Sequence, residues 1–170
     1  MTPRPPLWVS ENAEEAMTNA ARRAHPDETG GILVGVLTAG HPWIVAAMEI
    51  DTRDRGRTHY RLPANSTRTA VLEARTRDTR LGYLGDWHSH PHDIGPSPTD
   101  LATLAGISLR HPRQPHPTLI VVRKAPVGYN LDARRIVICV PRVCRIISTG
   151  PLPQAPTNDA DTTPVNDTHD

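Results

Sequence analysis

The chain has 170 residues, enough for one domain with its own core. Apolar residues make up 37% of it but aromatic residues only 4%, so the core must be built mainly from Val, Ile, Leu and Ala. A formal net charge of +1 excludes the strongly basic composition typical of nucleic-acid-binding proteins. The sequence has no stretch apolar enough to span a membrane and no signal-peptide pattern. We therefore expect a soluble cytoplasmic protein without nucleic-acid or membrane partners.

The first third of the chain predicts a helix followed by a β-hairpin. Ser10 suits the N-cap position, and residues 11–24 repeat Ala and Met at helical spacing until Pro26 ends the pattern. Residues 31–37 and 43–50 are mainly apolar and are separated by residues typical of a hairpin turn.

The rest of the chain predicts two more helices and four more strands. The helices begin near residues 66 and 97 and end near residues 79 and 110, and the strands lie at residues 81–88, 118–122, 135–140 and 143–147. Residues 51–62 are rich in Arg, Asp and Thr and predict a solvated surface loop, with a partner contact as the alternative. Residues 1–7 are expected to be flexible, and the Pro- and Asp-rich residues 150–170 to be a disordered tail. Residues 8–149 should thus form one α/β domain with a single mixed sheet.

Two short motifs in the middle of the chain suggest a metal site. The sequence W-H-S-H-P covers residues 87–91, and alternate residues of an extended segment share a face, so His88 and His90 can bind the same ion. Ser97 followed by a proline marks a helix start, which places Asp100 one turn into the helix on the same side. Two histidines and one carboxylate leave a coordination position for water, as in catalytic zinc sites. The alternative for the second motif is a capping box without a metal.

A carboxylate far upstream could supply the base that such a site needs. Glu28 begins the sequence E-T-G-G-I-L-V-G, directly before a strand flanked by glycines. A metal hydrolase requires a carboxylate that is not a ligand and that moves a proton from the water to the leaving amine. The alternative is that Glu28 is a solvated loop residue next to a tight turn.

Together, these motifs resemble those of the JAMM (MPN+) metalloprotease family. The resemblance implies that His88, His90 and Asp100 are zinc ligands. It implies that Glu28 is the general base that holds the zinc water, and that the Ser97 hydroxyl hydrogen-bonds the oxyanion as the tetrahedral intermediate forms.

The same resemblance extends over roughly residues 8–147 and implies a fold. It is an MPN-like (cytidine deaminase-like) α/β domain, in which a curved mixed β-sheet is flanked by helices. This expectation agrees with the order of elements predicted independently from the sequence pattern.

The loop between the two motifs is one residue shorter than in the family. Six residues usually separate the Pro of the first motif from the Ser of the second, whereas five stand here. Because the S-x-x-D spacing is kept, we expect Ser97 and Asp100 to move together as one rigid helix start. His92 and Asp93, which lie in the shortened loop, are the alternative ligands.

The resemblance also implies a substrate class. Such enzymes cleave the peptide or isopeptide bond that follows the Gly-Gly tail of a ubiquitin-like or sulfur-carrier protein, and such a tail would add along a sheet edge beside the metal. One alternative is a non-catalytic MPN-type scaffold, although scaffolds lack the Glu, His and Asp set that this chain keeps. Another is a zinc-site protein of DNA maintenance, but the helix-hairpin region expected of that branch is not recognisable in the sequence. The sequence does not predict an oligomeric state.

Overall fold

The structure is a computed structural model that describes residues 3–110 and 117–154. The helices are α1 (Glu11–Ala24), α2 (Ser66–Arg77) and α3 (Pro98–Arg110). The strands are β1 (Pro6–Ser10), β2 (Gly30–Thr38), β3 (His41–Glu49), β4 (Arg55–Gly56), β5 (His59–Tyr60), β6 (Gly82–His90), β7 (Thr118–Lys124), β8 (Tyr129–Val137), β9 (Val140–Val143) and β10 (Arg145–Thr149).

Eight of these strands form one mixed sheet in the order β10-β1-β3-β2-β6-β7-β8-β9. Strand β1 pairs in parallel with both β10 and β3, and β6 pairs in parallel with β7, whereas the remaining pairs are antiparallel. The short strands β4 and β5 form a separate hairpin. The predicted α/β class with a single main mixed sheet flanked by helices is therefore confirmed.

The helices cover both faces of the sheet. Helix α1 begins as predicted, because the backbone N–H of Ala13 donates to Ser10 Oγ at 3.2 Å. Its apolar face packs with the side chains of Leu33, Trp87 and Ile120 in the largest core cluster. Two smaller clusters use the other helices: α2 joins side chains of β2 and β6, and α3 joins side chains of β7 and β8. Within the described residues, the helices are too short or too polar to cross a membrane.

The beginning of the domain differs from the prediction. The expected flexible segment ended at residue 7, but Pro6–Ser10 forms β1 between β3 and β10. Leu7 and Val9 are completely buried. The prediction was wrong here because a five-residue strand that contains a proline has too little alternation to be recognised. Its pairing with β10 joins residues more than 130 positions apart.

The end of the domain also differs. Leu152 packs against the core cluster around α2, and the Arg80 guanidinium donates to the carbonyl of Pro153 at 2.8 Å. The chain is thus ordered beyond Gly150, where the tail was expected to begin. Residues 155–170 of that tail lie outside the described residues.

One further predicted strand is divided by a turn in the structure. The strand expected at residues 135–140 is the end of β8, a tight turn and the start of β9. Ile138 and Cys139 form the turn, with φ of 49° and 62°. Two left-handed residues in succession are typical of a type I′ hairpin, which is usually formed by Asn and Gly, so the sequence here concealed the turn.

Gly85 is a position in β6 where a side chain cannot be accommodated. Its φ is +151°, and an added Cβ would lie 1.8 Å from the carbonyl oxygen of Thr118 on β7. We expect Gly85→Ala to lower the free energy of unfolding by about 3 kcal/mol, because backbone strain adds to overpacking. Urea unfolding of both proteins measures this. Gly150→Ala is the matched control, since nothing lies within 4 Å of the added Cβ. Equal unfolding midpoints for the two variants would contradict this account.

Candidate active site

The structure brings the three predicted ligands together. His88 and His90 lie at the end of β6, and Asp100 lies in the first turn of α3. The two Nε2 atoms are 3.0 Å apart. Asp100 Oδ1 is 3.5 Å from His88 Nε2, and Oδ2 is 3.7 Å from His90 Nε2. The three ligand atoms lie within 4.8 Å of one another, so they converge on one point. All three side chains are partly buried, which shields this point from solvent.

This geometry fits a divalent metal ion. With metal–ligand bonds of about 2.0–2.1 Å, neighbouring ligand atoms of a tetrahedral site lie about 3.3 Å apart. The separations of 3.0–3.7 Å bracket that value. In addition, His90 Nδ1 lies 2.8 Å from the carbonyl oxygen of Ile94. A carbonyl only accepts, so Nδ1 carries the proton and Nε2 presents a free lone pair to the cluster.

Asp100 serves the helix start and the cluster at the same time. The Ser97 backbone N–H donates to Asp100 Oδ2 at 2.6 Å, and the Asp100 backbone N–H donates to Ser97 Oγ at 3.2 Å. This is the predicted capping box, and it fixes the carboxylate beside the histidines. Burial alone would raise the pKa of Asp100, but the nearby His88 and the hydrogen bonds with Ser97 outweigh it and hold the pKa well below the usual range. The carboxylate is therefore ionised at neutral pH, as a metal ligand must be.

The shortened loop does not displace Asp100. Ile94 N–H donates to the carbonyl of His92 at 2.8 Å, which closes the loop in a tight turn. Asp93 points to Arg123, with 3.5 Å between Oδ1 and Nη1. Across the described residues, neither His92 nor Asp93 belongs to a group that could hold a metal, whereas Asp100 does.

Glu28 lies in the same cavity as the three ligands. Its side chain is only 6% exposed, and burial raises its pKa to about 6 although His88 opposes the shift. A carboxylate with this pKa can accept and return a proton near neutral pH. The alternative that Glu28 is a solvated loop residue is therefore wrong.

A pair of hydrogen bonds ties the segment of Glu28 to the strand of the histidines. Ser89 N–H donates to the carbonyl of Thr29 at 2.7 Å, and Thr29 N–H donates to Ser89 Oγ at 3.0 Å. The Ser89 hydroxyl thus supplies an acceptor just beyond the end of the β2–β6 ladder. Thr29 Oγ1 also donates to Glu49 Oε1 at 2.8 Å. Because Ser89 and Thr29 are buried, these bonds hold the backbone beside Glu28 in one position.

The cavity contains functional candidates that the sequence did not reveal. Its volume is about 780 Å³, and it extends between α3 and the β4–β5 hairpin. That hairpin lies inside the expected surface loop, and the carbonyl of Gly56 accepts from Glu28 N–H at 2.8 Å. Asp86, also on the cavity wall, accepts from the Tyr83 hydroxyl at 3.0 Å, and burial raises its pKa to about 6. Alternation of residues 86, 88 and 90 along β6 is the signal that could have indicated Asp86.

Comparison with known families decides the class of protein. Residues 10–137 match the family described as prokaryotic homologs of the JAB domain. The chain belongs to this JAB family. The resemblance predicted from the motifs is therefore confirmed, and the matched region contains every residue of the candidate site.

Two relatives of the JAB chain carry enzyme names. A probable metalloprotease of Sinorhizobium fredii is 31% identical over 133 residues, which cover 72% of this chain and 79% of the relative. A CD-NTase/cGAS isopeptidase of Enterobacter hormaechei is 31% identical over 136 residues, which cover 75% of this chain and 73% of the relative. These relatives agree with the prediction that the chain is an enzyme of the metallopeptidase class.

Solved structures support the JAB fold. A solution structure from Desulfitobacterium hafniense has a TM-score of 0.67 at 22% identity, covering 86% of this chain and 94% of that one. The crystal structure of a JAB1/MPN domain protein from Archaeoglobus fulgidus has a TM-score of 0.51 at 19% identity, covering 85% and 98%. The expected MPN-like fold is confirmed by this likeness.

Proposed function

We propose that the protein is a zinc-dependent metalloprotease or isopeptidase. Its substrate would be a ubiquitin-like or sulfur-carrier protein, cleaved at the peptide or isopeptide bond after a Gly-Gly tail. The observation that carries the proposal is the convergence of His88, His90 and Asp100 in a cavity that also contains the buried Glu28. The name of the Enterobacter hormaechei relative supports isopeptide chemistry, and the family membership supports a hydrolytic site.

The residues of the chain divide the chemistry among them. His88, His90 and Asp100 would hold the zinc ion, which when bound supplies Lewis acidity to a water molecule and to the scissile carbonyl. Glu28 takes a proton from the attacking water and passes it to the leaving nitrogen. Ser97 Oγ accepts from the Asp100 N–H and keeps its own hydrogen free, so it can donate to the oxyanion that forms on the carbonyl.

The shape of the cavity supports an extended substrate segment. The cavity runs beside the ligands between α3 and the β4–β5 hairpin and is open to solvent, as an entering chain requires. The wall beside the ligands is itself tightly packed: Gly30 pairs with His88, and an added Cβ on Gly30 would lie 2.4 Å from the Trp87 carbonyl oxygen and 2.7 Å from the Tyr60 ring. Glycine residues in the substrate would allow its backbone to approach the ligands closely.

The position of the cut in a defined substrate tests the proposal. A fusion of a ubiquitin-like domain ending in Gly-Gly to a reporter protein is incubated with the zinc-loaded enzyme, and the products are identified by mass spectrometry. We expect a single cut directly after the second glycine. A matched fusion that ends in Ala-Ala should be cleaved at least about 10-fold more slowly, since the added methyl groups would keep the substrate backbone farther from the ligands. Equal cleavage of both fusions, or cuts elsewhere, would contradict the proposed substrate.

We expect the Ser89 hydroxyl to contribute to the same reaction by positioning the backbone beside Glu28. Ser89→Ala leaves the buried Thr29 N–H without its acceptor and releases the backbone that positions Glu28. We expect kcat to fall about 10-fold while KM and zinc content stay unchanged, since a small displacement of the base affects the chemical step. Ser89→Thr keeps the hydroxyl and should restore most of kcat. Equal activity of Ser89→Ala and the wild type would exclude this positioning role.

A further inference from the structure

Two arginines line the cavity, one on the side of the β4–β5 hairpin and one on the side of α3. Arg57 lies in the turn between β4 and β5, and Arg110 is the last residue of α3, so they approach the cavity from different elements. Both are exposed side chains. We call them the arginine mouth.

The charges of the arginine mouth are not neutralised by the described residues. Asp54, directly before the hairpin, already has two partners. Its Oδ2 lies 3.5 Å from Arg61 Nη1, and its Oδ1 lies 3.2 Å from His59 Nε2. None of the ion pairs in the described part of the chain includes Arg57 or Arg110. The segment that follows Arg110, residues 111–116, is H-P-R-Q-P-H and contains no acidic residue. Two guanidinium groups without a carboxylate partner among residues 3–110 and 117–154 therefore give the cavity a positive potential on this side.

The distance to the ligands sets which part of a substrate reaches the mouth. A helix rises 1.5 Å per residue, so Arg110 begins about 15 Å along α3 from Asp100. Its side chain extends back towards the ligands, because Nη2 lies 3.9 Å from the Cβ position of Gly106. Gly106 is about 9 Å along the axis from Asp100. An extended chain covers about 3.3 Å per residue, so Arg110 is about three to five residues from the cleaved bond.

We propose that the arginine mouth selects substrates whose tail carries Asp or Glu in the three positions before the Gly-Gly pair. This inference rests on the proposed function and specifies the chemistry of its substrate. The carboxylates of the cavity, Glu28, Asp86 and Asp100, each interact electrostatically with His88 and so lie around the histidines. An acidic tail thus meets positive charge at the mouth, and its neutral glycines reach the carboxylate-rich end.

Three peptide substrates test this preference. Each has a fluorophore and a quencher on opposite sides of the bond that follows Gly-Gly, and the three residues before Gly-Gly are all Asp, all Ser or all Lys. At low ionic strength we expect kcat/KM to follow the order Asp, Ser, Lys, with about a 10-fold difference between the extremes, because exposed ion pairs contribute modestly. In 0.5 M salt the difference should shrink several-fold, since screening acts within a few Å.

Charge reversal provides the matched comparison. The double variant Arg57→Glu and Arg110→Glu should reverse the order, so that the Lys substrate is cleaved fastest. The double variant Arg22→Glu and Arg142→Glu changes the net charge equally at exposed positions that do not line the cavity, and it should keep the wild-type order.

The outcomes separate this inference from the proposed function. If the three substrates are cleaved at equal rates, or if the mouth variant keeps the wild-type order, the arginine mouth does not select the tail. If none of the substrates is cleaved, the proposed function fails. Fluorescence anisotropy of the same peptides then decides the inference separately, because the Asp peptide should still bind about 10-fold more tightly than the Lys peptide.

Discussion

Glu28→Gln is expected to lower kcat about 10³-fold while the protein still binds one zinc ion per chain. Gln has nearly the same shape as Glu but cannot accept a proton from the attacking water, and general base catalysis contributes about 10²–10⁴-fold. Steady-state kinetics on a Gly-Gly fusion and metal analysis of the same sample measure the two quantities. Glu15→Gln changes an exposed carboxylate of α1 outside the cavity and should leave kcat unchanged. A Glu28→Gln variant with wild-type kcat would exclude Glu28 as the base.

The same substitution should stabilise the metal-free protein. Burial raises the pKa of Glu28 from 4.5 to about 6, so the ionised form is disfavoured in the folded state. In linkage terms, a folded pKa above the unfolded value means that ionisation destabilises the fold as pH rises through about 4.5 to 6. Because one pKa unit corresponds to 1.36 kcal/mol, Glu28→Gln should raise the free energy of unfolding at pH 7 by about 1–2 kcal/mol. Urea unfolding in the presence of a chelator measures this, and at pH 4 the gain should vanish.

The pH dependence of kcat is expected to be opposite to that of stability: kcat should rise with pH where the contribution of Glu28 to stability falls. A general base must be unprotonated, so kcat should fall as the pH is lowered through the pKa of Glu28. Without a metal this pKa is about 6, and a bound cation favours the carboxylate and lowers it further. The acidic limb of the pH profile should therefore lie at or below about pH 6.

Asp100→Asn should abolish tight zinc binding and with it all measurable cleavage. The amide keeps the acceptor oxygen that caps α3, so the helix start should persist, but the ionised ligand is lost. Loss of an outer-shell partner already reduces metal affinity by about 10–100-fold, and loss of a ligand should exceed that. Competition with a chelator of known affinity measures the change.

Asp93→Asn is the matched control for the shortened loop. Asp93 is the alternative carboxylate ligand predicted from the sequence, but it faces Arg123 in the structure. We expect zinc affinity and kcat of Asp93→Asn to remain within about two-fold of the wild type. If Asp93→Asn loses zinc and Asp100→Asn keeps it, the assignment of the ligands is wrong.

The sequence indicated the three candidate metal ligands because their geometry is local. Alternation along an extended segment places His88 and His90 on one face, and a capping box places Asp100 in the first turn of the next helix. Both relations depend only on short-range backbone geometry. The role of Glu28, by contrast, depended on the family resemblance, because no periodicity predicts that residues sixty positions apart share a cavity.

The rest of the site depends on pairings that short-range patterns do not contain. Ser89 lies between the histidines in sequence, but its hydroxyl is directed to Thr29 on the neighbouring chain segment. The β4–β5 hairpin has two residues per strand, too few to show alternation, yet it forms a wall of the cavity. The register of β2 against β6 and the curvature of the sheet bring these parts together, and both result from packing of the whole domain.

The dependence of cleavage on bound metal tests the central claim most directly. The purified protein is stripped with a chelator, returned to buffer, and titrated with zinc from zero to two equivalents while cleavage of the Gly-Gly fusion is followed. We predict no cleavage without zinc, a linear rise to a maximum at one equivalent, and no recovery in Asp100→Asn under the same conditions. Full cleavage by the stripped protein, or by Asp100→Asn without bound zinc, would contradict a metal-dependent hydrolase.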